Sequence, residues 1–474
     1  MKISRRRFIH SSAAVAAGFG GLQLLTQRTV NAATGQETSS FGYGELKSDP
    51  DGIVDLPAGF SYKIISRRGD KMDDGLLVPD LPDGMATFPG NDGLTLLVRN
   101  HELLPYQLGP FGKENKLLKE VPAQKFYDYG KGKTPGLGGT TTVVFDTKKQ
   151  KVVRQFLSLT GTYRNCAGGL TPWNSWLTCE ETVERIGRND EHNYVSEKDH
   201  GYTFEVPATS NVNLVDPVPL KAMGRFNHEA VAVDPRTSIV YLTEDRHEGL
   251  FYRFIPNKPR QLGAGGNLQV LAILDHKSAD TRNWDSDAEH FKVGDTHKIR
   301  WLDIDNVESP DDDLRIRGFF ADAACFARGE GIWFGKNEIY FACTNGGTKK
   351  VRQIWRYRLS RYEGTKDETK SPATLELFIE PNDTKLLKAA DNLTIARWGD
   401  LIVCEDRTDD VVRLIGVTPH GQLYTLANNH LNTEFAGATF SPDGSTLFVN
   451  IQGKGHTLAI NGPWKDNRSI STAS

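Results

Sequence analysis

The chain has 474 residues, with 57 Lys and Arg against 60 Asp and Glu and a formal net charge of −3. That near-neutral balance, with no basic run beyond the N-terminus, argues against a nucleic-acid partner. Its 46 glycines and 22 prolines fit many short strands joined by turns, in a chain long enough for one large domain or two to three smaller ones.

The N-terminus reads as an export signal. Arg5, Arg6 and Arg7 precede Phe8 and Ile9, an apolar run follows from Ala13 to Leu25, and small residues lie around Val30 to Ala33. This is the pattern of a twin-arginine signal peptide over residues 1–33. The apolar run falls short of the roughly 20 residues a membrane span needs, so no stable membrane anchor is expected. The expected partner is the twin-arginine export machinery and the expected location periplasmic or secreted. That route carries folded proteins, often with a cofactor loaded beforehand, which hints at a metal. The remainder, 40–474, is expected to form a single domain and to act as a monomer.

Six stretches after the signal share one outline, beginning at Gly84, Cys166, His228, Gly329, Asp391 and Glu434. Each opens on a polar or small residue and runs through a short apolar strand. A turn of Asp, Gly, Asn or Pro follows, then a second apolar strand ending near Asn, Gln, Glu or Asp. Further alternating strands follow several of them, such as GLFYRFIP and QIWRYRL. A hairpin with one or two added strands is the blade of a β-propeller, so the expectation is an all-β, six-bladed β-propeller with inserted loops near residues 105–135 and 275–300. A two-sheet sandwich array and a β-solenoid are the alternatives.

In an antiparallel hairpin the start of the first strand lies beside the end of the second. All six hairpins would then crowd their polar ends at one mouth: His101, Glu102, Cys179, Glu180, Glu181, His228, Glu229, Glu244, Asp245, Glu330, Asn392, Glu405, Asp406 and Glu434. At about 4 Å and an effective dielectric near 20, one like-charge pair costs about 4 kcal/mol. The carboxylates must take up protons or hold cations. Oxygen donors suit Ca²⁺; a thiolate among them suits iron or zinc. The five cysteines show no CxxC spacing and cannot all pair with one another. Cys325, Cys343 and Cys404 read as core residues, and Cys179, in the run TCEE, reads as a thiolate on metal.

The motifs NCAGGLTPWNSWLTCEET, GRFNHEAVAVDP, YLTEDRHEGLFYRF, FARGEGIWF, LIVCEDR and FAGATFSPDGSTLFVNIQ, in this order, resemble the PhoX-type alkaline phosphatases. The resemblance implies a six-bladed propeller that hydrolyses small phosphorylated substrates, phosphate monoesters, at a cluster of Fe³⁺ and Ca²⁺. It implies Cys179, Glu229 and Glu330 as iron ligands, Glu180, Glu244, Glu405 and Glu434 as calcium ligands, and Arg328 as a phosphate contact; Asn165 is a candidate neutral donor. Two departures stand out. Gly329 replaces the proline that longer members carry between Arg and Glu, and Thr171 to Asn174 lack the expected basic residue. A calcium-dependent propeller lactonase or phosphotriesterase and a non-catalytic binding propeller are the competing functions.

Overall fold

The computed structural model describes residues 42–285 and 291–465; the signal segment expected over 1–33 lies outside them. All six expected hairpins form. They are Pro82–Pro89 with Leu94–His101, Asn165–Leu170 with Ser175–Glu180, and His228–Val233 with Val240–Glu244. The later three are Gly329–Phe334 with Glu338–Cys343, Ala390–Ile395 with Leu401–Glu405, and Phe435–Phe440 with Thr446–Ile451. They are called hairpins one to six below. The turns follow from local chemistry. In hairpin six, Asp443 accepts from the Ser441 and Ser445 hydroxyls, and Gly444 takes φ +72°.

The first strands of the six hairpins pack in a ring, each against the next, and hairpin six returns to hairpin one. Apolar side chains fill the spaces between neighbouring units. Leu177 of hairpin two meets Val231, Val233 and Leu242 of hairpin three in one cluster; Met85 and Leu97 of hairpin one meet Phe448 of hairpin six in another. The inner ring is tight. A Cβ on Gly169 would lie 2.0 Å from the carbonyl oxygen of Val231 in the next hairpin.

The arrangement is all-β and propeller-like, but the expectation of six separate blades needs correction. Hairpins one, two, five and six each seed their own sheet, of four, three, six and four strands. Hairpins three and four instead share one ten-stranded sheet. The cause is the strand Thr296–Asp303. Its second half pairs with Leu271–Ile273 and neighbours of the third unit, and its first residues pair with Thr374–Glu376 of the fourth. One long edge strand thus serves two units and leaves no break between them. The sheet of hairpin six is completed from the other end of the chain by Ser61–Arg67, paired on His456–Asn461.

Helix is scarce, as the sequence suggests: among the described residues one α-helix, Leu314–Phe320, accompanies short 3₁₀ turns. The insertion expected near 105–135 is present, whereas the one expected near 275–300 gives way at its end to the strand Thr296–Asp303. Residues 102–137 form a loop with 3₁₀ turns between hairpin one and Gly138–Asp146, and a second long connection precedes Thr296. No helix among the described residues is long and apolar enough to cross a membrane.

Candidate metal centre at the mouth of the ring

The mouth is built by one device used six times. Near the start of each inner strand the pairing slips, so that two residues oppose one. This is a β-bulge, which re-aims a side chain. The first bulged residue is Asp83, Cys166, Glu229, Glu330 and Asp391 in hairpins one to five; in hairpin six it is Gly437. A second row stands just past the end of each outer strand: Glu102, Glu181, Asp245, Thr344, Asp406 and Gln452. Each donates its backbone N–H to the carbonyl of the residue leading into its own inner strand: Leu81, Arg164, Asn227, Arg328, Ala389 and Glu434. The two rows therefore stand beside each other at one edge.

Their donor atoms converge. Asp83, Glu102 and Cys166 present atoms within 4.8 Å of one another; so do Cys166, Glu181 and Glu229, and so do Glu229, Glu330 and Asp391. Shared members link the three groups into one arc. The Cys166 Sγ lies 3.4 Å from Glu229 Oε1. Burial first, and then neighbouring carboxylates, push Asp83, Glu229 and Asp391 well above the usual carboxylate range. Burial raises Glu181 and Glu330 likewise, against the pull of Arg164 and Arg328. The Cys166 thiol is raised by burial and by Asp83 and Glu229. Glu434 is raised by burial and by Asp406, Asp83 and Asp391, which places it at the same mouth.

Two guanidinium groups border the arc. Arg328 makes a fork on Asp245 (2.6 and 2.7 Å) and reaches Glu330 Oε1 at 2.9 Å. Arg164 reaches Glu102 at 2.7 Å and Glu181 at 2.8 Å. Both occupy the position before the inner strand, and both hold left-handed backbone, φ +45° at Arg164 and +53° at Arg328. Non-glycine residues pay for that conformation and keep it where the surroundings over-determine it, commonly at functional sites.

The donor set fits cations on an observation of its own. Glu229 Oε2 is buried and accepts no hydrogen bond from the protein. A buried, unsatisfied carboxylate oxygen among further acids and a thiol is costly unless protonated or bound to a positive ion.

The structure brings Glu229, Glu330, Glu434 and Arg328 to this mouth, and it places Cys179, Glu180, Glu244, Glu405 and Asn165 elsewhere. Cys179 lies opposite the bulge of hairpin two, pairs with Thr203 and packs in the core with Leu177, Phe226 and Val231. Its Sγ lies 3.8 Å from Thr203 Oγ1. The cysteine at the mouth is Cys166. Glu180, Glu244 and Glu405 each sit one residue before the acid that faces the mouth. Period two in a strand makes that single step a change of face. Glu180 accepts from the backbone of Tyr163, Gly201 and Tyr202 and from His200. Glu244 accepts from Leu250 N and Tyr252 Oη, and Glu405 is held by Arg407 and Arg413. Asn165 is buried in its hairpin, with Thr162 and Thr178 as partners. Glu102, Glu181, Asp245 and Asp406, expected in the mouth, are there. Asp83, Cys166, Asp391 and Arg164 are added by the structure. Their shared place shows in the strands, one residue into the inner strand for three of them and just before it for Arg164, whereas the sequence outlines begin at Gly84, Cys166 and Asp391.

The protein resembles known structures. PhoX from Pseudomonas fluorescens, in complex with the transition-state analogue vanadate, matches at 18% identity over 87% of this chain and 96% of that one, with a TM-score of 0.63. A gluconolactonase from Xanthomonas campestris matches at 13% identity over 89% and 98% of the two chains, with a TM-score of 0.40, too low to weigh. No curated protein sequence matches the chain. The sequence profile of the family "Alkaline phosphatase PhoX" matches residues 41–154 and 134–455, most of the chain, and the protein therefore belongs to the PhoX family of phosphatases.

Proposed function

We propose that the protein is a metal-dependent phosphomonoesterase that acts on small phosphorylated substrates at the mouth of the ring. The observation that carries this reading is the arc of buried acids and one thiol, bordered by Arg164 and Arg328. A thiolate among carboxylates favours iron, which we assign as Fe³⁺ to Cys166, Glu229 and Glu330. The remaining carboxylates of the mouth favour Ca²⁺, which we assign to Asp83, Glu102, Glu181, Asp391 and Glu434. When bound, such cations supply positive charge for the phosphoryl oxygens and a nucleophile active at neutral pH.

The chain's own residues do the rest. Arg164, before hairpin two, and Arg328, before hairpin four, present planar donors on either side of hairpin three, matched to phosphate oxygens. In the structure both guanidinium groups are spent on acids of the two rows. With cations held by those acids, the Arg164 and Arg328 guanidinium groups would be left to bind an incoming phosphate. Phosphoryl transfer gains mainly from such positioning and charge neutralisation. The walls of the mouth keep the acids out of bulk water, which strengthens each interaction with the transferred group.

We also place the protein in the periplasm or outside the cell, on the twin-arginine pattern at Arg5 to Ile9. Metal analysis of the exported protein, with turnover of p-nitrophenyl phosphate against a diester and a lactone, tests the whole reading. Iron with calcium and a preference for the monoester are expected. Calcium alone, with no monoester turnover, would sink it.

A further inference from the structure

Behind the mouth, and apart from its donors, lies a second buried charged group. Asp128, Tyr163, Glu180 and His200 are each 0% exposed. His200 Nδ1 lies 2.6 Å from Glu180 Oε1, and its Nε2 lies 3.3 Å from Asp128 Oδ2. Ionised carboxylates only accept, so both ring nitrogens donate and the ring is an imidazolium. Each carboxylate also accepts three backbone N–H groups. Glu180 takes the N–H groups of Tyr163 (2.9 Å), Gly201 (2.8 Å) and Tyr202 (3.2 Å). Asp128 takes those of Gly130, Glu197 and Lys198. Three segments remote in sequence are tied here: the insertion around 128, the end of hairpin two, and the connection through 200.

All of this bears on one turn. The Tyr163 N–H is held by Glu180, and the Tyr163 ring stacks on the His200 ring at 3.6 Å and 11°. The next residue is Arg164, in left-handed backbone. Its N–H is bound by the Leu103 carbonyl, and its carbonyl accepts from Glu181 N. A strained turn springs to an ordinary conformation unless its flanks are fixed. We propose that Asp128, His200 and Glu180 form a clasp that fixes Tyr163 and so holds Arg164 aimed into the mouth; His200 is a positioning residue for phosphate binding. This rests on the phosphatase reading above, with Arg164 as a phosphate contact.

A double-mutant cycle tests it. His200→Phe keeps a ring to stack on Tyr163 and removes both ionic links. In the otherwise native protein it is expected to raise the KM for p-nitrophenyl phosphate and the Kd for inorganic phosphate about tenfold, with kcat changed less and metal content unchanged. In an Arg164→Ala background the same substitution is expected to change neither constant. A purely structural His200 would weaken binding equally in both backgrounds, and that result overturns the proposal. Asp128→Asn, which cuts one link, repeats the cycle if His200→Phe does not fold. A native protein that neither turns over the ester nor binds phosphate sinks the phosphatase reading and the clasp together. Activity with an additive cycle sinks the clasp alone.

Discussion

Cys166 and Cys179 lie 13 positions apart in the same hairpin motif and have opposite fates. Cys166 sits in the bulge beside Glu229, and Cys179 sits across the hairpin in the core. Cys166→Ser is expected to lose iron and nearly all turnover, read by metal analysis and a monoester assay. Cys179→Ala is expected to keep both and to lose on the order of 1 kcal/mol of stability in a denaturant titration, the cost of a small cavity. Arg328→Ala is expected to lower kcat/KM by about 10²- to 10³-fold with metals retained, as removal of one charge-stabilising donor does elsewhere. Retention of full turnover would leave Arg328 only its ion pairs with Asp245 and Glu330. These roles were partly legible. The types Cys, Glu and Arg pointed to the chemistry, but NCAGG and TCEE offer equally good thiols, and nothing within either motif says which one a bulge will turn inward.

At the scale of the element, the hairpin outline was legible because its signals are local: turn residues, short apolar runs and polar ends. The register was not. The pairs Glu180 and Glu181, Glu244 and Asp245, Glu405 and Asp406 each offer two neighbouring acids, and the strand face decides between them. Glu181→Gln is expected to disturb metal content, whereas Glu405→Gln leaves metal content intact and costs stability through its two arginines. The clasp adds a pH dependence. Burial opposes the charge on His200, but Glu180 and Asp128 outweigh it and raise its pKa to about 9, above the usual 6.5. A raised histidine contributes its full stability below about 6.5 and loses it as pH climbs through 9, on the order of 3 kcal/mol in all. The unfolding midpoint of the native protein should therefore fall more steeply between pH 7 and 9.5 than that of His200→Phe. Equal slopes would show that the ring is neutral in the fold.

For the whole molecule, the ring makes the acids interdependent. Six segments spread from Asp83 to Glu434 meet at one mouth, and no pair within a single hairpin carries the charge density of the arc. Stripping cations with a strong chelator should lower the thermal midpoint by about 5 °C or more, with readdition of iron and calcium restoring it. An unchanged midpoint would mean that protons, not metals, neutralise the acids. The fused ten-stranded sheet belongs to this scale too. Residues 275–300 read as an inserted loop, and only the positions of Gly266–Ile273 and Thr374–Ile379 on either side let Thr296–Asp303 form a strand that joins two units.

By itself the sequence determined the strands, their turns and the chemical class of the mouth. Those follow from residue type and from contacts a few positions apart. Tertiary structure decided which of two adjacent acids faces inward, which cysteine joins them, that Arg164 borders the site, and that His200 stands behind it. Each of these depends on a bulge or a hydrogen bond whose partner lies many residues away in the chain. Asn100, for instance, holds the Cys166 and Ala167 carbonyls from the preceding hairpin. A side chain's direction at such a place is set by its neighbours in space, and one residue of slip reverses it.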